Sequence, residues 1–89
     1  MPKNIVFQQR GWEDFQYWIR QDQKKIKRVI QLLKDIERNG NEGIGKPELL
    51  KHEYQGYWSR RIDDEHRLIY RLDGNNILVA ACRFHYEWN

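Results

Sequence analysis

The last third of the chain alternates apolar and polar residues in three runs, and this pattern restricts the fold more than any other feature of the sequence. The runs cover residues 58–62, 67–72 and 77–86. Polar clusters at 63–66 and 73–76, which together are rich in Asp, Asn and Gly, separate them. These residue types favour tight turns, and alternating runs joined by tight turns are typical of hairpin-linked strands. The sequence therefore predicts an antiparallel β-meander at this end of the chain.

The N-terminal part predicts a short strand and two amphipathic helices. Residues 5–7 are β-prone, and Gly11 is expected to separate them from the first helix. Apolar residues then recur at helical spacing in two stretches. The first set is Trp12, Phe15, Trp18 and Ile19, and the second is Ile26, Val29, Ile30, Leu33 and Ile36. A helical layer behind a meander is an α+β fold, and because residues 1–89 show no repeat or linker, a single domain is expected.

Composition excludes several classes of protein. Cys82 is the only cysteine, which excludes a disulfide-stabilised scaffold, and its apolar neighbours favour a buried structural thiol. The three histidines lack the spacing of a metal site. No stretch approaches the roughly 20 apolar residues of a membrane span and no leader is recognisable, so a cytoplasmic protein is expected. The net charge of +3 does not by itself indicate a nucleic-acid partner.

Side-chain alternation on the middle strand of the meander separates an apolar face from a charged one. The apolar face, expected under the helices, comprises Leu68, Tyr70 and Leu72. The opposite, open face comprises Arg67, Ile69 and Arg71. An arginine on an exposed strand is usually only solvated, and this interpretation is favoured for Arg71.

Strict alternation on the last strand predicts that two further polar side chains, Arg83 and His85, reach the same open face. The residues expected to share that face with them are Val79 and Ala81. The apolar set expected to pack under the helices is Leu78, Ala80, Cys82, Phe84 and Tyr86. Two neighbouring strands would then present several cationic or titratable side chains to one side of the sheet.

Four sequence blocks in order resemble the YoeB/Txe toxins of the RelE/ParE superfamily of bacterial toxin–antitoxin modules. The blocks are GKPELLKH at 45–52, GYWSRRI at 56–62, EHRLIY at 65–70 and AACRFHY at 80–86. The resemblance extends over nearly the whole chain. It departs from the family pattern at Phe84, where Tyr is common, and at residues 87–89, which follow the usual His-Tyr ending.

The resemblance implies an mRNA endoribonuclease that acts in the ribosomal A site and is neutralised by a YefM/Phd-type antitoxin. It implies two N-terminal helices packed on a small, curved, mainly antiparallel sheet, and members of the family can form homodimers. By position, the family's general base matches Glu48, its phosphate-binding arginine matches Arg67, and its general acid matches His85. Lys51 and Tyr86 match supporting site residues.

Two further residues are candidates for RNA contact. Arg83 is one, because it is expected on the open face. Trp58 is the other, because aromatic rings stack on the bases of single-stranded RNA, as Tyr57 and Tyr86 could also do. A place in the core is the favoured interpretation for Trp58.

The candidate residues fit cleavage of RNA without a metal or another cofactor. RNA supplies its own nucleophile, the 2′-OH, so the reaction needs a base, an acid and a cation. Glu48 could accept the 2′ proton, His85 could protonate the departing 5′ oxygen, and Arg67 could bind the phosphoryl oxygens.

Two alternatives remain open at the level of sequence. A ParE-like toxin of the same fold would bind a topoisomerase and cleave nothing, and such a binder would not need the set of Glu48, Arg67 and His85. A degenerate toxin that survives only as a partner of an antitoxin is the weaker alternative, because that acid–base set is intact.

Overall fold

The computed structural model describes residues 3–84, in which two helices pack against one face of a five-stranded sheet. The helices are α1 (Gln9–Gln21) and α2 (Gln23–Asn39). The strands are β1 (Asn4–Phe7), β2 (Glu48–Leu49), β3 (Trp58–Arg61), β4 (Arg67–Asp73) and β5 (Asn76–Ala81), and a 3₁₀ turn spans His52–Tyr54. Their order across the sheet is β1-β5-β4-β3-β2, with β1 parallel to β5 and every other pair antiparallel. The α+β fold with a mainly antiparallel sheet is therefore confirmed.

Local sequence explains where the helices begin and how closely they approach the sheet. Asp22 caps α2, because its carboxylate accepts hydrogen bonds from the backbone N–H groups of Lys24 and Lys25 at 3.0 and 3.3 Å. Gly11 lies inside α1 rather than before it, so its expected role as a separator was wrong. A Cβ atom at Gly11 would overlap the carbonyl oxygen of Val79, so glycine allows α1 to pack directly on β5.

Apolar side chains form one cluster on each face of the sheet. The larger cluster lies under the helices and includes Trp18, Val29, Leu32, Leu33, Ile36, Leu68, Tyr70, Ile77 and Val79. The smaller one lies on the opposite face and consists of Leu50, Ile69, Ala80 and Ala81, with Tyr54 and Tyr57 packed against it. The segment that follows β2 therefore covers part of the face that the sequence predicted to be open.

The structure corrects the predicted faces of the last strand. Val79 is fully buried in the cluster under the helices, and Leu78 pairs with Arg71, which places it on the other face. The register shifts between β4 and β5, since Ile69 pairs with Ala81 but Tyr70 pairs with Val79. An irregularity of this kind adds a residue and reverses the alternation beyond it. As a result, Cys82 packs under the helices while Ala80 and Ala81 belong to the smaller cluster.

The predicted extent of that strand also needs correction. It was expected to cover residues 77–86, whereas β5 ends at Ala81. His85 and Tyr86 lie outside the described residues. Neither helix of the described chain is long and apolar enough to cross a bilayer.

Candidate active site

The sheet register places the proposed base and the proposed phosphate-binding arginine on one face. Glu48 pairs with Ser59, and Ser59 pairs in turn with Ile69, so these side chains share a face across three strands. Arg67 lies two residues before Ile69 and therefore points to the same side. The residue that pairs with Arg67 on the neighbouring strand β3 is Arg61, which is exposed. This face therefore carries the Glu48 carboxylate beside the guanidinium groups of Arg61 and Arg67, and the predicted orientation of Arg67 agrees with the register.

Arg67 is held by the turn that precedes its own strand. Its side chain is mostly buried, with the residue 8% exposed. Its Nη1 donates hydrogen bonds to the carbonyl oxygens of Asp63 at 2.7 Å and His66 at 3.1 Å. Within residues 3–84, its Nε and Nη2 make no hydrogen bond. The guanidinium is therefore fixed at one nitrogen and keeps donors for a ligand oxygen.

The electrostatic surroundings of Arg67 favour an anion beside it. Burial lowers the pKa of Arg67, and the nearby positive charge of Arg61 lowers it further, while Asp63, Asp64 and Glu48 act in the opposite direction. A partly desolvated cation beside a second cation gains from a bound negative group. Among residues 3–84, no group of three His, Cys, Asp or Glu side chains could hold a metal ion.

Glu48 is exposed at the start of the edge strand β2, and the loop before it is anchored by a buried arginine. Arg60 is fully buried and forms an ion pair with Asp35. Its guanidinium also donates to the carbonyl oxygens of Gly40, Glu42 and Ile44, at 2.6, 3.2 and 3.0 Å. These bonds connect α2, the loop 40–45 and β3, so they fix the path of the chain to Glu48.

Asp35 completes this anchor. Its carboxylate also accepts a hydrogen bond from the backbone N–H of Ile44 at 3.1 Å. The hydrogen bond from Arg60 holds the pKa of Asp35 below its ordinary value, with further help from Ile44 and Asn39. The sequence reasoning missed Arg60, although alternation along Trp58, Arg60 and Ile62 places it toward the helices.

The end of β5 is held by α1 through the backbone of Cys82. Asp14, a buried residue, accepts a hydrogen bond from the N–H of Cys82 at 3.0 Å. The indole N–H of Trp18 donates to the Cys82 carbonyl oxygen at 2.7 Å. Burial raises the pKa of the Cys82 thiol well above its ordinary value, so the thiol is a structural group, as the sequence predicted.

Two of the predicted supporting residues do not lie on the face of Glu48 and Arg67. Arg83 follows the end of β5, and its guanidinium carbon lies 3.5 Å from the ring centroid of Tyr17, on α1. Its expected place on the open face was wrong, because the strand has ended and alternation no longer applies. Trp58 pairs with Tyr70 and packs against the core under the helices, in agreement with the interpretation favoured from the sequence.

Lys51 remains accessible near the proposed base. It is exposed and lines a surface cleft of about 480 Å³ together with Leu49, Leu50, His52, Gln55 and Gly56. The cleft lies on the segment that connects β2 to β3, and Lys51 in this segment is three residues after Glu48. The structure thus brings Glu48 and Arg67 to one face, with Arg61 as an additional cation that the sequence reasoning did not single out, and Lys51 lies three residues along the chain from Glu48.

Comparison with known proteins places this fold and these residues in a family. Residues 7–86 match the family described as the YoeB-like toxin of bacterial type II toxin–antitoxin systems. Toxin YoeB of Escherichia coli K12 is 45% identical over 82 residues, which are 92% of this chain and 98% of that protein.

Solved structures of similar proteins give the same assignment. A YoeB dimer from Staphylococcus aureus is 49% identical with a TM-score of 0.90, covering 97% of this chain and 100% of the other. The toxin in a heterotetrameric YoeB-YefM toxin–antitoxin complex from the same organism is 49% identical with a TM-score of 0.88, at the same coverage. The chain therefore belongs to the YoeB-like toxins of bacterial type II toxin–antitoxin systems.

Proposed function

We propose that this toxin is an endoribonuclease that cleaves mRNA in the ribosomal A site and thereby inhibits translation. The observation that carries the proposal is that Glu48 and Arg67 lie on one face of the sheet. Glu48 is exposed, and Arg67 retains donors that no described residue uses. A base and a phosphate-binding cation are what attack of a 2′-OH on the adjacent phosphate requires.

The spacing of the two residues suits a phosphate between them. Glu48 lies two strands away from Ile69, which is about 10 Å at ordinary strand spacing. Arg67 lies two residues before Ile69 on β4, or about 7 Å from it. Both side chains are long, so they can converge on one phosphodiester from opposite sides while their Cα atoms stay apart.

The proposed reaction proceeds without a metal or another cofactor. Glu48 accepts the proton of the 2′-OH while the 2′ oxygen forms a bond to phosphorus. The bond from phosphorus to the 5′ oxygen breaks, and His85 donates a proton to that oxygen. His85 lies outside the described residues, and its role is assigned by the resemblance alone. The products are a 2′,3′-cyclic phosphate and a 5′-OH. Arg67 donates to the phosphoryl oxygens, on which negative charge grows in the transition state.

The other predicted residues have different proposed roles. Lys51 lies near Glu48 and is exposed, so it is proposed to contact the RNA backbone. Tyr86 keeps its proposed supporting role by resemblance. Arg83 could contact RNA only from the side of α1, and Trp58 is proposed to act in packing rather than in base stacking.

We also propose that a YefM/Phd-type antitoxin binds this toxin in the cytoplasm. The Staphylococcus aureus YoeB-YefM complex supports this partner, and the YoeB dimer of that organism supports a homodimer. The net charge of +3 and the cationic face suit an acidic segment of the antitoxin, which would fold as it binds.

Replacement of the proposed base tests this function. We expect Glu48→Gln to slow cleavage of a defined message on programmed ribosomes by about 10²–10⁴-fold, because the neutral amide keeps the shape of the side chain but cannot accept the 2′ proton. Glu53→Gln is the matched control, since Glu53 is an exposed glutamate of the nearby 3₁₀ turn. Equal rates for wild type and Glu48→Gln would remove Glu48 from the reaction.

A further inference from the structure

His66 directly precedes Arg67 in the sequence and contacts Phe84, the last described residue. It is a buried residue, and its ring packs edge-on against Trp18 with 4.8 Å between ring centroids. Its Nδ1 accepts a hydrogen bond from the backbone N–H of Phe84 at 2.8 Å. A ring nitrogen that accepts a hydrogen bond carries no proton, so this contact requires the imidazole form with its proton on Nε2.

The backbone carbonyl group of Phe84 is held by Arg67, the residue that follows His66. The backbone N–H of Arg67 donates to the carbonyl oxygen of Phe84 at 3.0 Å. Phe84 has a φ of 71°, in the left-handed region that residues other than glycine rarely adopt. A strained conformation persists only where its surroundings hold it, and the two bonds from His66 and Arg67 are such restraints.

These restraints lie beyond the last strand. β5 ends at Ala81, and α1 already fixes both backbone groups of Cys82 through Asp14 and Trp18. The bonds to Phe84 therefore lie beyond the last residue of β5, and they fix the chain at the residue that directly precedes His85.

We propose that His66 is a positioning residue for RNA cleavage, because its hydrogen bond to Phe84 fixes the chain from which the general acid His85 extends. This inference rests on the proposed function. Proton transfer requires the acid within hydrogen-bond reach of the leaving oxygen, so a small displacement of the chain at Phe84 slows that step. Arg67, the proposed phosphate ligand, holds the same residue, so His66 and Arg67 together restrain the residue before His85 beside the phosphate-binding arginine.

A change of leaving group separates positioning of the acid from a general structural role. The test measures single-turnover cleavage at saturating toxin on programmed ribosomes. It compares a natural message with one in which sulfur replaces the bridging 5′ oxygen at the scissile bond. A thiolate leaves without being protonated, so the sulfur substrate does not need the acid. We expect His66→Phe, which keeps a ring but loses Nδ1, to be roughly 10–100-fold slower on the natural message and within a few-fold of wild type on the sulfur substrate.

Arg67→Ala is the control for this design, because its phosphate contact is needed for both substrates and its rate should fall on both. The proposal is overturned if His66→Phe cleaves the natural message at the wild-type rate, or if it is equally slow on both substrates. A wild type that leaves the natural message intact would instead contradict the proposed nuclease function, so the two failures are distinct.

A matched pair of variants keeps the test decisive if His66→Phe does not fold. The amide oxygen of His66→Asn can occupy the position of Nδ1 and accept the Phe84 N–H, whereas the longer His66→Gln places its amide near Nε2. Both lack the ring that packs on Trp18. We expect His66→Asn to cleave the natural message at least several-fold faster than His66→Gln, and equal rates for the pair would overturn the proposal.

Discussion

Arg67→Ala is expected to slow message cleavage on programmed ribosomes by about 10²–10³-fold, the loss typical of removing one donor to a developing negative charge. The geometry around Arg67 explains why the effect should be large. One nitrogen is fixed by the carbonyl oxygens of Asp63 and His66, so the remaining donors are preorganised toward a phosphate. Arg67→Lys should recover only part of the rate, because a lysine cannot make both the carbonyl contacts and a forked phosphate contact.

Arg71→Ala is the matched control for this prediction. Arg71 lies on the same strand and the same face as Arg67, but it is exposed, and its guanidinium carbon lies 5.5 Å from the ring centroid of Tyr57. Its removal should leave the cleavage rate within a few-fold of wild type. The assignment of Arg67 fails if both alanine variants retain the wild-type rate, or if both lose it equally.

Arg60→Met is expected to lower the free energy of unfolding by about 3–5 kcal/mol, because it removes the fully buried partner of an ion pair and the donor to three backbone carbonyl oxygens. The methionine fills similar space but takes the guanidinium away from the Asp35 carboxylate and from the carbonyl oxygens of Gly40, Glu42 and Ile44. Urea unfolding followed by circular dichroism measures this loss. Such a decrease is a large part of the 5–15 kcal/mol that stabilises a typical domain.

Arg61→Met provides the comparison at the next position. Arg61 is exposed, so the same substitution there should change the free energy of unfolding by less than about 0.5 kcal/mol. The double variant Arg60→Met with Asp35→Leu should be more stable than Arg60→Met alone, because it also removes the negative charge that has lost its cationic partner. Equal stabilities for Arg60→Met and Arg61→Met would show that Arg60 does not anchor the loop.

The sequence predicted the elements whose pattern is local. The apolar spacing in α1 and α2 and the alternation of Leu68, Tyr70 and Leu72 are repeated signals. Most of these residues lie in or against the core under the helices, whereas Trp12, Ile19 and Ile30 are exposed. The orientation of Arg67 followed from the same alternation, because β4 is regular across Arg67–Asp73. Local patterns therefore determined the fold class and one half of the candidate site.

The remaining features depend on contacts between distant parts of the chain. The five consecutive apolar residues from Leu78 to Cys82 provide no alternation, so the register shift opposite Ile69 and Tyr70 could not be recognised from them. Arg60 binds Ile44, which is 16 positions away, and Asp35, which is 25 positions away, and no local pattern indicates contacts over such separations. The restraint of Phe84 by His66 also spans 18 positions.

One substituted nucleotide tests most directly whether this toxin cleaves mRNA by attack of the 2′-OH. Purified wild-type toxin would be added to ribosomes that hold a defined message, either all-ribose or with a single 2′-deoxynucleotide before the scissile bond in the A-site codon. We predict that the all-ribose message is cut there to give a 2′,3′-cyclic phosphate and a 5′-OH, and that the deoxy message stays intact at that bond. Equal cutting of both messages would contradict the mechanism, and an intact all-ribose message would contradict the nuclease function itself.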